Sequence, residues 1–379
     1  MTRITAITAF PLAYPEPNDN GNTRYLTLVS VTTDDGLVGW GEAVTMWPEA
    51  SRAVQAIIDG GLAPLLIGRD PRDTLALWEL MRAHTWWYGD GGIATFALSA
   101  LDIAMWDLKG KALGVPVYQL LGGRRNARLR VCVSTHPNKA DLDEMAREFG
   151  AHVARGVSAV KFGFGKRGDA HLGYEPARDL AFVRAVRQAV GPQVDIIVDL
   201  GHNVRYEPMQ AIRMTRAFAE YNIRWIEDPL PHGDWAGYRQ LRAAVTTPIA
   251  TGEELWTVEQ YRQLIAAGFA DVILVDAGRA EGLTGYWKVQ ELAALHGRTI
   301  NAHAWSSAVL TAASAHLTLA ASNYTIFELK ALPNPMQHEL VREPWDHQGG
   351  WLSVPERPGL GVDVDEAVVM KYLDGCCAS

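Results

Sequence analysis

The fold is decided by DIIVDLG (195–201), IRWIEDP (223–229) and IATGEE (249–254). Each segment is a short apolar run, typical of a buried strand, that reaches an acid: Asp199, Glu227 or Glu253. The acids are 28 and 26 residues apart (199 to 227, then 227 to 253), and each is followed by a turn and a helical pattern. A parallel strand with its loop and return helix needs roughly 30 residues. Three successive strands are therefore predicted to present one carboxylate each at the same face.

The same spacing continues through three further polar residues. Asp276 ends DVILVD, His303 ends RTINAH and Glu328 ends YTIFE. A single loop acid is usually solvated surface, but a series at successive strand ends is typical of a (β/α)₈ barrel, whose catalytic residues lie there. Three converging carboxylates also suit Mg²⁺, which prefers oxygen ligands to nitrogen or sulfur.

Eight short β-rich segments alternate with helical patterns from about residue 128 onward, which predicts a parallel barrel. The predicted strands are LRVCVST, VSAVKFG, VDIIVD, IRWIE, PIATGE, DVILVD, RTINAH and YTIFE. The helical patterns between them cover residues 139–154, 174–190, 206–220, 235–244, 257–267, 282–295 and 307–320.

The region before the barrel predicts an α+β domain. Antiparallel strands are predicted at 3–12, 24–33 and 37–44, with a hairpin turn at 33–36. Helical patterns follow at 49–60, 73–84 and 93–113. The segment YPEPNDNGN (14–22) is either a surface loop or a lid over a site, and both interpretations are compatible with its composition.

The sequence predicts three parts in an α/β protein with a modified, TIM-like (β/α) barrel. Residues 1–125 form an N-terminal α+β capping domain, and residues 126–329 form the catalytic barrel. Residues 330–379 are rich in proline and too irregular for another βα unit, so this C-terminal segment is expected to pack back on the capping domain.

The composition excludes several classes of protein. The net charge of −8 and the absence of a Lys/Arg-rich run argue against nucleic-acid binding. The sequence has no apolar run long enough to span a membrane, and its first residues lack the apolar core of a signal peptide. The cysteines, Cys132, Cys376 and Cys377, make no disulfide framework. These features predict a cytoplasmic protein that acts on a small molecule.

The remaining polar strand-end residues suggest acid/base chemistry. Lys161, in AVKFGFG, faces inward together with Gly163. Beside a cation its pKa would be lowered, so that it could accept a proton; alternatively, it pairs with an acid or reaches solvent. Asp276 and His303 come from adjacent strands and make a competent acid/base pair. Glu328 would point into the same cavity, either as a hydrogen-bond donor with a raised pKa or as an orienting group.

The order and context of these residues resemble the enolase superfamily and, within it, the mandelate racemase-like group. The resemblance extends over almost the whole chain, through WIEDP, TGE, the D-x-x-R segment from Asp276, NAHAW, GLVGWGE (36–42) and ALDIAMWDLKGKALG (100–114). It implies a Mg²⁺ cofactor on Asp199, Glu227 and Glu253. It also implies that His303, supported by Asp276, transfers a proton next to a substrate carboxylate, and that Glu328 hydrogen-bonds that carboxylate. Members of the group are commonly symmetric oligomers, so a homo-oligomer is expected.

Two positions depart from the pattern of the group. The second barrel strand usually reads Lys-x-Lys and here reads Lys161-Phe162-Gly163, so glycine replaces the usual base. The third strand usually reads Asp-x-Asn and here reads Asp199-Leu200-Gly201. The space suits a larger substrate or a side chain from a loop. The candidates for that side chain are His202, Tyr174 and Arg205, which together with Trp47 and Trp305 are also the candidate substrate contacts.

These departures rank the possible reactions. A racemase needs an acid/base group on each face of the reacting carbon, and Gly163 leaves one face without its usual group. The sequence therefore favours dehydration of an aldonate or aldarate to a 2-keto-3-deoxy acid, with His303 as acid or base and Lys161, a tyrosine or a water as its partner. Cycloisomerisation of a sugar acid or lactone is second, and racemisation or epimerisation is third. A Mg²⁺- and carboxylate-binding sensor is the non-enzyme alternative, which the Asp276–His303 pair disfavours.

Overall fold

The computed structural model describes residues 2–89, 91–201 and 203–375. The chain opens with an antiparallel sheet, hereafter the N-terminal sheet, in the order β1 (Ile4–Glu16), β2 (Asn22–Thr33) and β3 (Val38–Met46). The predicted hairpin turn joins β2 to β3. Gly36 in this turn has a positive φ of 83°, a conformation that costs glycine little.

The connection between β1 and β2 is shorter than the predicted loop at 14–22, because both strands extend into that segment. Only a 3₁₀ turn (Pro17–Asp19) and two further residues join them. The turn is anchored to the barrel, since the buried carboxylate of Glu16 pairs with the ammonium group of Lys330. Asn18 is also buried and donates to the carboxylate of Glu16. The connection therefore lies against the mouth of the barrel.

Helices cover one face of the N-terminal sheet. They are α1 (Pro48–Ile57), α2 (Ala63–Leu66), α3 (Thr74–Thr85), α4 (Ile93–Leu113) and α5 (Val117–Leu120), with a π-helical turn at Ile58–Leu62. The almost wholly buried α4 packs directly on β3. A Cβ atom at Gly39 would lie 2.3 Å from the carbonyl oxygen of Ala104, and one at Gly41 would lie 1.9 Å from that of Ala100. The helix can approach the sheet only because these two positions are glycine.

Eight parallel strands form the second sheet. They are β4 (Leu129–Thr135), β5 (Ala159–Gly163), β6 (Asp195–Asp199), β7 (Ile223–Glu227), β8 (Ile249–Thr251), β9 (Val272–Val275), β10 (Thr299–Ala302) and β11 (Phe327–Lys330). The helices between them are α6 (Leu142–Ala154), α7 (Pro176–Val190), α8 (Pro208–Ala219), α9 (Trp235–Ala244), α10 (Val258–Ala267), α11 (Gly282–Leu295) and α12 (Ala308–Ala320). The predicted barrel with its capping sheet is thus confirmed.

The barrel is nearly closed. Its strands are hydrogen-bonded in the order β10-β9-β8-β7-β6-β5-β4-β11. Among the described residues, β10 meets the segment before β11 through one parallel bridge, Ile300 to Tyr324. The eighth strand also begins later than YTIFE indicated, so Glu328 is its second residue and not its last. The segment of Tyr324 instead supplies the bridge that completes the ring.

Side chains inside the barrel follow the strand period of two. On β5, Ala159, Lys161 and Gly163 face inward, whereas Val160 and Phe162 pack against the helices. Beneath the polar residues lies an apolar layer formed by Cys132, Ala159, Ile197, Trp225, Ala250, Val272, Leu274 and Ile326. This layer closes the interior below the mouth and separates the polar residues there from the ion pairs of Asp195 with Arg130 and Arg224 at the opposite end.

The C-terminal segment contacts both sheets. It contains α13 (Pro335–His338), β12 (Trp351–Leu352) and α14 (Glu366–Lys371). The short β12 pairs antiparallel with the start of β4. After α14, the carbonyl group of Tyr372 accepts a hydrogen bond from Ala13 of β1. The domain boundaries at residues 125 and 329 stay a prediction. None of the helices in the described ranges combines the length and apolarity needed to cross a bilayer.

Candidate active site

Lys161 lies at the centre of a group of carboxylates at the mouth of the barrel. Its Nζ atom is 2.5 Å from Glu227 Oε1, 3.2 Å from Glu328 Oε1 and 3.4 Å from Asp199 Oδ2. All four side chains are buried. They meet because Asp199 and Glu227 are in register across β6 and β7, while Glu328 comes from β11 on the other side of β4.

The lowered pKa that the sequence predicts for Lys161 beside a cation stays a prediction. Burial alone would lower that pKa, because it penalises the charged ammonium. The carboxylates of Glu227, Glu328, Asp199 and Glu253 outweigh burial and raise the pKa of Lys161 well above its usual value. The alternative interpretation from the sequence, a lysine paired with metal-binding acids, describes its surroundings. A lysine held in this way is a poor proton acceptor.

A second cluster of acids overlaps the first. Glu227, Asp228 and Glu253 each place a carboxylate oxygen within 4.8 Å of the others. Asp228, which the sequence analysis did not select, follows Glu227 in WIEDP and has a positive φ of 41°. Its Oδ1 atom accepts a hydrogen bond of 2.6 Å from the hydroxyl group of Thr251. Asp199, which was predicted as the third ligand, is not part of this cluster but reaches Lys161 from β6.

These oxygen atoms fit a divalent cation. Burial, followed by repulsion from neighbouring carboxylates, raises the pKa of Glu227 to about 8, even though Lys161 opposes the shift. Burial and the charges of Glu253 and Glu227 also raise the pKa of Asp228 well above its usual value. Like-charged acids this close together need added positive charge to ionise together. An all-oxygen donor set is the kind that Mg²⁺ prefers.

His303 faces the acids from the end of β10. Its Nδ1 atom is 2.6 Å from Asp276 Oδ2, and its Nε2 atom is 3.7 Å from Glu253 Oε2. The fully buried Asp276 is itself held by a 2.7 Å hydrogen bond from the backbone N–H of Gly278. Burial would lower the pKa of His303, but Glu253 and the hydrogen bond with Asp276 raise it to about 9. The Asp276 contact occupies Nδ1, so Nε2 is the nitrogen available for proton transfer.

A cavity of about 450 Å³ opens above these residues. Lys161, Asp199, Glu253, His303 and Glu328 line it, and so do the predicted contacts Trp47 and Trp305. Tyr174 and Arg205 are exposed and do not appear among the described residues that line it. They therefore do not fill the space at Gly163 in this structure. His202 lies outside the described residues.

The cavity wall contains basic and aromatic residues that the sequence analysis missed. The ring of His136 stacks on that of Trp305 at a centroid distance of 4.3 Å. The guanidinium of Arg24 lies 4.5 Å from the centroid of Trp305, and the ammonium group of Lys330 lies 4.7 Å from it. Lys166 also lines the cavity. None of these residues ends an apolar run with the spacing that identified the acids, so the sequence offered no comparable signal.

Family models match most of the chain. A model described as enolase C-terminal domain-like matches residues 144–368. A second, described as the mandelate racemase and muconate lactonizing enzyme N-terminal domain, matches residues 19–122. The two models together cover β2 and β3 of the N-terminal sheet and the barrel strands from β5 to β11, which carry the acids.

Individual proteins resemble the chain over nearly its full length. A D-galactonate dehydratase family member of Streptomyces bingchenggensis is 33% identical and covers 92% of this chain and 90% of its own. A D-galactarolactone cycloisomerase of Agrobacterium fabrum is 30% identical and covers 98% of both chains. The crystal structure of the 3,6-anhydro-D-galactonate cycloisomerase from Zobellia galactanivorans superposes with a TM-score of 0.88 at 30% identity and covers 98% of this chain and 99% of its own.

Proposed function

Because this chain belongs to the mandelate racemase and muconate lactonizing enzyme group of the enolase superfamily, we propose that it is a Mg²⁺-dependent dehydratase of a sugar acid. The substrate is an aldonate or aldarate, and the product is a 2-keto-3-deoxy acid. The observation that carries the proposal is the Asp276–His303 pair, which faces the carboxylate cluster across one cavity. Curated relatives named as sugar-acid dehydratases support the substrate class.

Asp199, Glu227 and Glu253 would hold the cation, with Asp228 beside them. A bound Mg²⁺ would supply positive charge that makes the proton next to the substrate carboxylate easier to remove. Lys161 would add positive charge on the other side of Asp199 and Glu227. Its three carboxylate contacts fix its position, so we assign it an electrostatic role.

The proton transfers belong to residues of the chain. Dehydration breaks a C–H bond on the carbon next to the carboxylate and a C–O bond on the following carbon, so it needs one base and one acid. His303 is held by Asp276 with Nε2 facing Glu253 and the cavity, so it can serve at one of these atoms. Glu328 is placed by Lys161 at the same mouth and can orient the substrate. The enol that results becomes the 2-keto acid by gaining a proton at carbon and losing the proton of its hydroxyl group.

Cycloisomerisation is the second candidate because related proteins carry that name. It also starts from proton transfer next to a carboxylate, but it moves a ring bond and releases no water. A sensor that binds a carboxylate without reacting is the non-enzyme candidate. The three candidates differ in the fate of the substrate, which one assay can follow.

The test is incubation of the purified protein with a library of aldonates, aldarates and their lactones in D₂O with Mg²⁺. Dehydration is expected to give a 2-keto acid from one or a few of them. Deuterium uptake without a keto product would contradict dehydration and favour cycloisomerisation or epimerisation. Binding with neither deuterium uptake nor product would favour the sensor.

His303→Asn is expected to lower turnover of the identified substrate by about 100- to 10,000-fold, the usual contribution of a general acid or base. Binding of the substrate, measured by calorimetry, is expected to persist because the metal-binding carboxylates remain. The matched control is His296→Asn, since His296 is exposed and lies near the opposite end of β10. Turnover by His303→Asn close to the wild-type rate would remove His303 from the chemistry.

A further inference from the structure

Gly163 ends β5 beside Asp199, at the position where the resemblance places the base of the group. The space next to this glycine is already filled. A Cβ atom built on Gly163 would lie 2.5 Å from Cε of Lys166 and 3.5 Å from its Cγ. The stem of Lys166 therefore occupies the volume into which a side chain at Gly163 would extend.

The other departure from the group's pattern makes room for the same residue. A Cβ atom on Gly201, at the end of the third strand, would lie 3.4 Å from Nζ of Lys166 and 3.7 Å from Asp199 Oδ1. The two glycines thus both border the distal end of one lysine side chain, at Cε and at Nζ. A larger residue at Gly163 would displace the stem, and one at Gly201 would contact the amine.

The backbone that carries Lys166 is fixed on both sides. Phe164 donates a 2.7 Å hydrogen bond to the carbonyl oxygen of Asp199, and Gly165 donates one of 2.8 Å to Leu172. Gly165 has a positive φ of 68°, which turns the chain directly after the strand. This turn brings the partly buried Lys166 back to the cavity, where it shares the wall with Asp199 and His303.

Lys166 differs from Lys161 in its partners. Three carboxylates hold Lys161. Lys166 has no hydrogen bond or ion pair with any residue in the described ranges, although its amine faces the same cavity. The amine of Lys166 can therefore move toward a bound substrate, whereas that of Lys161 cannot do so without breaking its ion pairs.

We propose that Lys166 is the second proton-transferring residue of the site and takes the place of the base lost at Gly163. This inference rests on the proposed function. The amine of Lys166 takes the proton from the carbon next to the carboxylate, and the C–H electron pair stays on the substrate. That pair forms the C=C bond as hydroxide leaves with the C–O pair, and protonated His303 gives the hydroxide a proton to form water. Lys166 then returns its proton to solvent and His303 takes one up from solvent, while the enol gains a proton at carbon and loses the proton of its hydroxyl group to give the 2-keto acid.

The first test is Lys166→Ala, which is expected to lower turnover and deuterium uptake by about 100- to 10,000-fold with KM changed less than about threefold. Lys139→Ala is the control, because Lys139 is a partly exposed lysine that pairs with surface glutamates far from the carboxylates of the site. Deuterium uptake by Lys166→Ala within about threefold of the wild type would overturn the proposal.

Two rescue experiments distinguish a catalytic role of the Lys166 amine from a structural role of its aliphatic chain. Lys166→Cys treated with 2-bromoethylamine regains an amine of nearly the same length, and activity is expected to rise at least tenfold. Lys166→Ala receives the same treatment, so that reaction of the native cysteines is accounted for. A folded, aminoethylated Lys166→Cys variant with no gain in activity would overturn the proposal.

The second rescue experiment moves the amine from residue 166 to residue 163. In a Gly163→Lys, Lys166→Ala double variant, the emptied volume can take the new side chain. Activity is expected to exceed that of Lys166→Ala at least tenfold. A folded double variant without any gain would count against an amine at this face.

The outcomes also distinguish this inference from the proposed function. If the wild type exchanges the proton without eliminating water and Lys166→Ala abolishes the exchange, the role of Lys166 is supported and dehydration is contradicted. If the wild type forms a keto acid and Lys166→Ala forms it equally fast, dehydration is supported and the role of Lys166 is contradicted.

Discussion

At the scale of single residues, the main feature of the site is its excess of negative charge. Asp199, Glu227, Glu253 and Glu328 act on one buried ammonium, that of Lys161. The carboxylates therefore outnumber the cation at the mouth of the barrel. Burial and the neighbouring carboxylates raise the pKa of Glu227 to about 8, and a divalent ion bound to three of the acids would offset the excess negative charge.

Measured Mg²⁺ affinities of variants distinguish Asp199 from Asp228 as the third metal ligand. Glu227→Gln and Asp199→Asn are each expected to weaken Mg²⁺ binding at least about tenfold, since each removes a charged oxygen ligand. Asp228→Asn is expected to change it less than about threefold, because Thr251 already occupies one oxygen of Asp228. Titration calorimetry with MgCl₂ alone measures all three. A larger loss for Asp228→Asn than for Asp199→Asn would make Asp228 the ligand.

Much of the site was predictable at this scale because parallel strands end at one edge. The spacing selected Asp199, Glu227, Glu253, Asp276 and His303, and the structure brings them together at the mouth of the barrel. The environment of a side chain was harder to predict. To predict the charge state of Lys161, one must know how many carboxylates surround it. That number depends on packing across several strands.

At the scale of elements, one carboxylate joins the N-terminal sheet to the barrel. Glu42 lies on β3 and is fully buried. It accepts hydrogen bonds from the backbone N–H and the hydroxyl group of Ser307, and from the N–H of Leu310. These groups belong to the N-terminus of α12, which follows the strand of His303. A helix N-terminus exposes unsatisfied N–H donors, so Glu42 acts as a cap supplied by another domain.

Glu42→Ala is expected to lower the free energy of unfolding by about 2–4 kcal/mol, because the buried donors of α12 lose their acceptor. Glu42→Gln keeps one acceptor oxygen and is expected to cost about half as much. Urea unfolding followed by circular dichroism measures both. The exposed Glu49, replaced by alanine, is expected to cost less than about 0.5 kcal/mol. Equal costs for Glu42→Ala and Glu49→Ala would contradict the capping role.

Regular elements were predictable, whereas the segments between them were not. The helices at 235–244, 282–295 and 93–113 have the predicted bounds, since residues that favour helix ends flank them, such as Asp234 at the N-cap of α9 and Gly114 at the C-cap of α4. The prediction failed for the loop at 14–22. Its proline, asparagine and glycine content masked the strand ends, which are stabilised by pairing with each other and by Lys330. Lys166 was missed for the same reason, since a turn and not a strand places it.

At the scale of the whole molecule, His316 joins three distant parts of the chain. It lies in α12 and is buried. Its Nδ1 atom accepts a 3.2 Å hydrogen bond from the N–H of Tyr118, and its Nε2 atom lies 3.1 Å from the carbonyl oxygen of Leu360, to which it donates. Only one neutral tautomer satisfies both contacts, because protonated Nδ1 would direct a hydrogen at the N–H of Tyr118. Barrel, capping region and C-terminal segment therefore depend on a neutral imidazole.

Burial lowers the pKa of His316 to about 4, below its usual value of 6.5. The unfolded chain thus binds this proton more readily. The stabilisation is complete above pH 6.5 and is lost as pH falls toward 4, by about 1.4 kcal/mol per pH unit. From pH 7.5 to 5.0 the expected loss is about 2 kcal/mol relative to His316→Gln, which cannot titrate. Urea unfolding of both proteins at the two pH values measures it. A constant difference would exclude the effect.

The single bridge between Ile300 and Tyr324 affects how the barrel can deform. The circumference of a barrel is fixed where neighbouring strands are hydrogen-bonded along their length. The strands β10 and β11 are not paired in this way, so the ring of strands has a gap between them. His303 and Glu328 stand on the two sides of that gap. A ring of this kind can widen at its gap without breaking a ladder elsewhere. The width of the gap is then one dimension through which substitutions far from the carboxylates are expected to change the size of acid that the mouth admits.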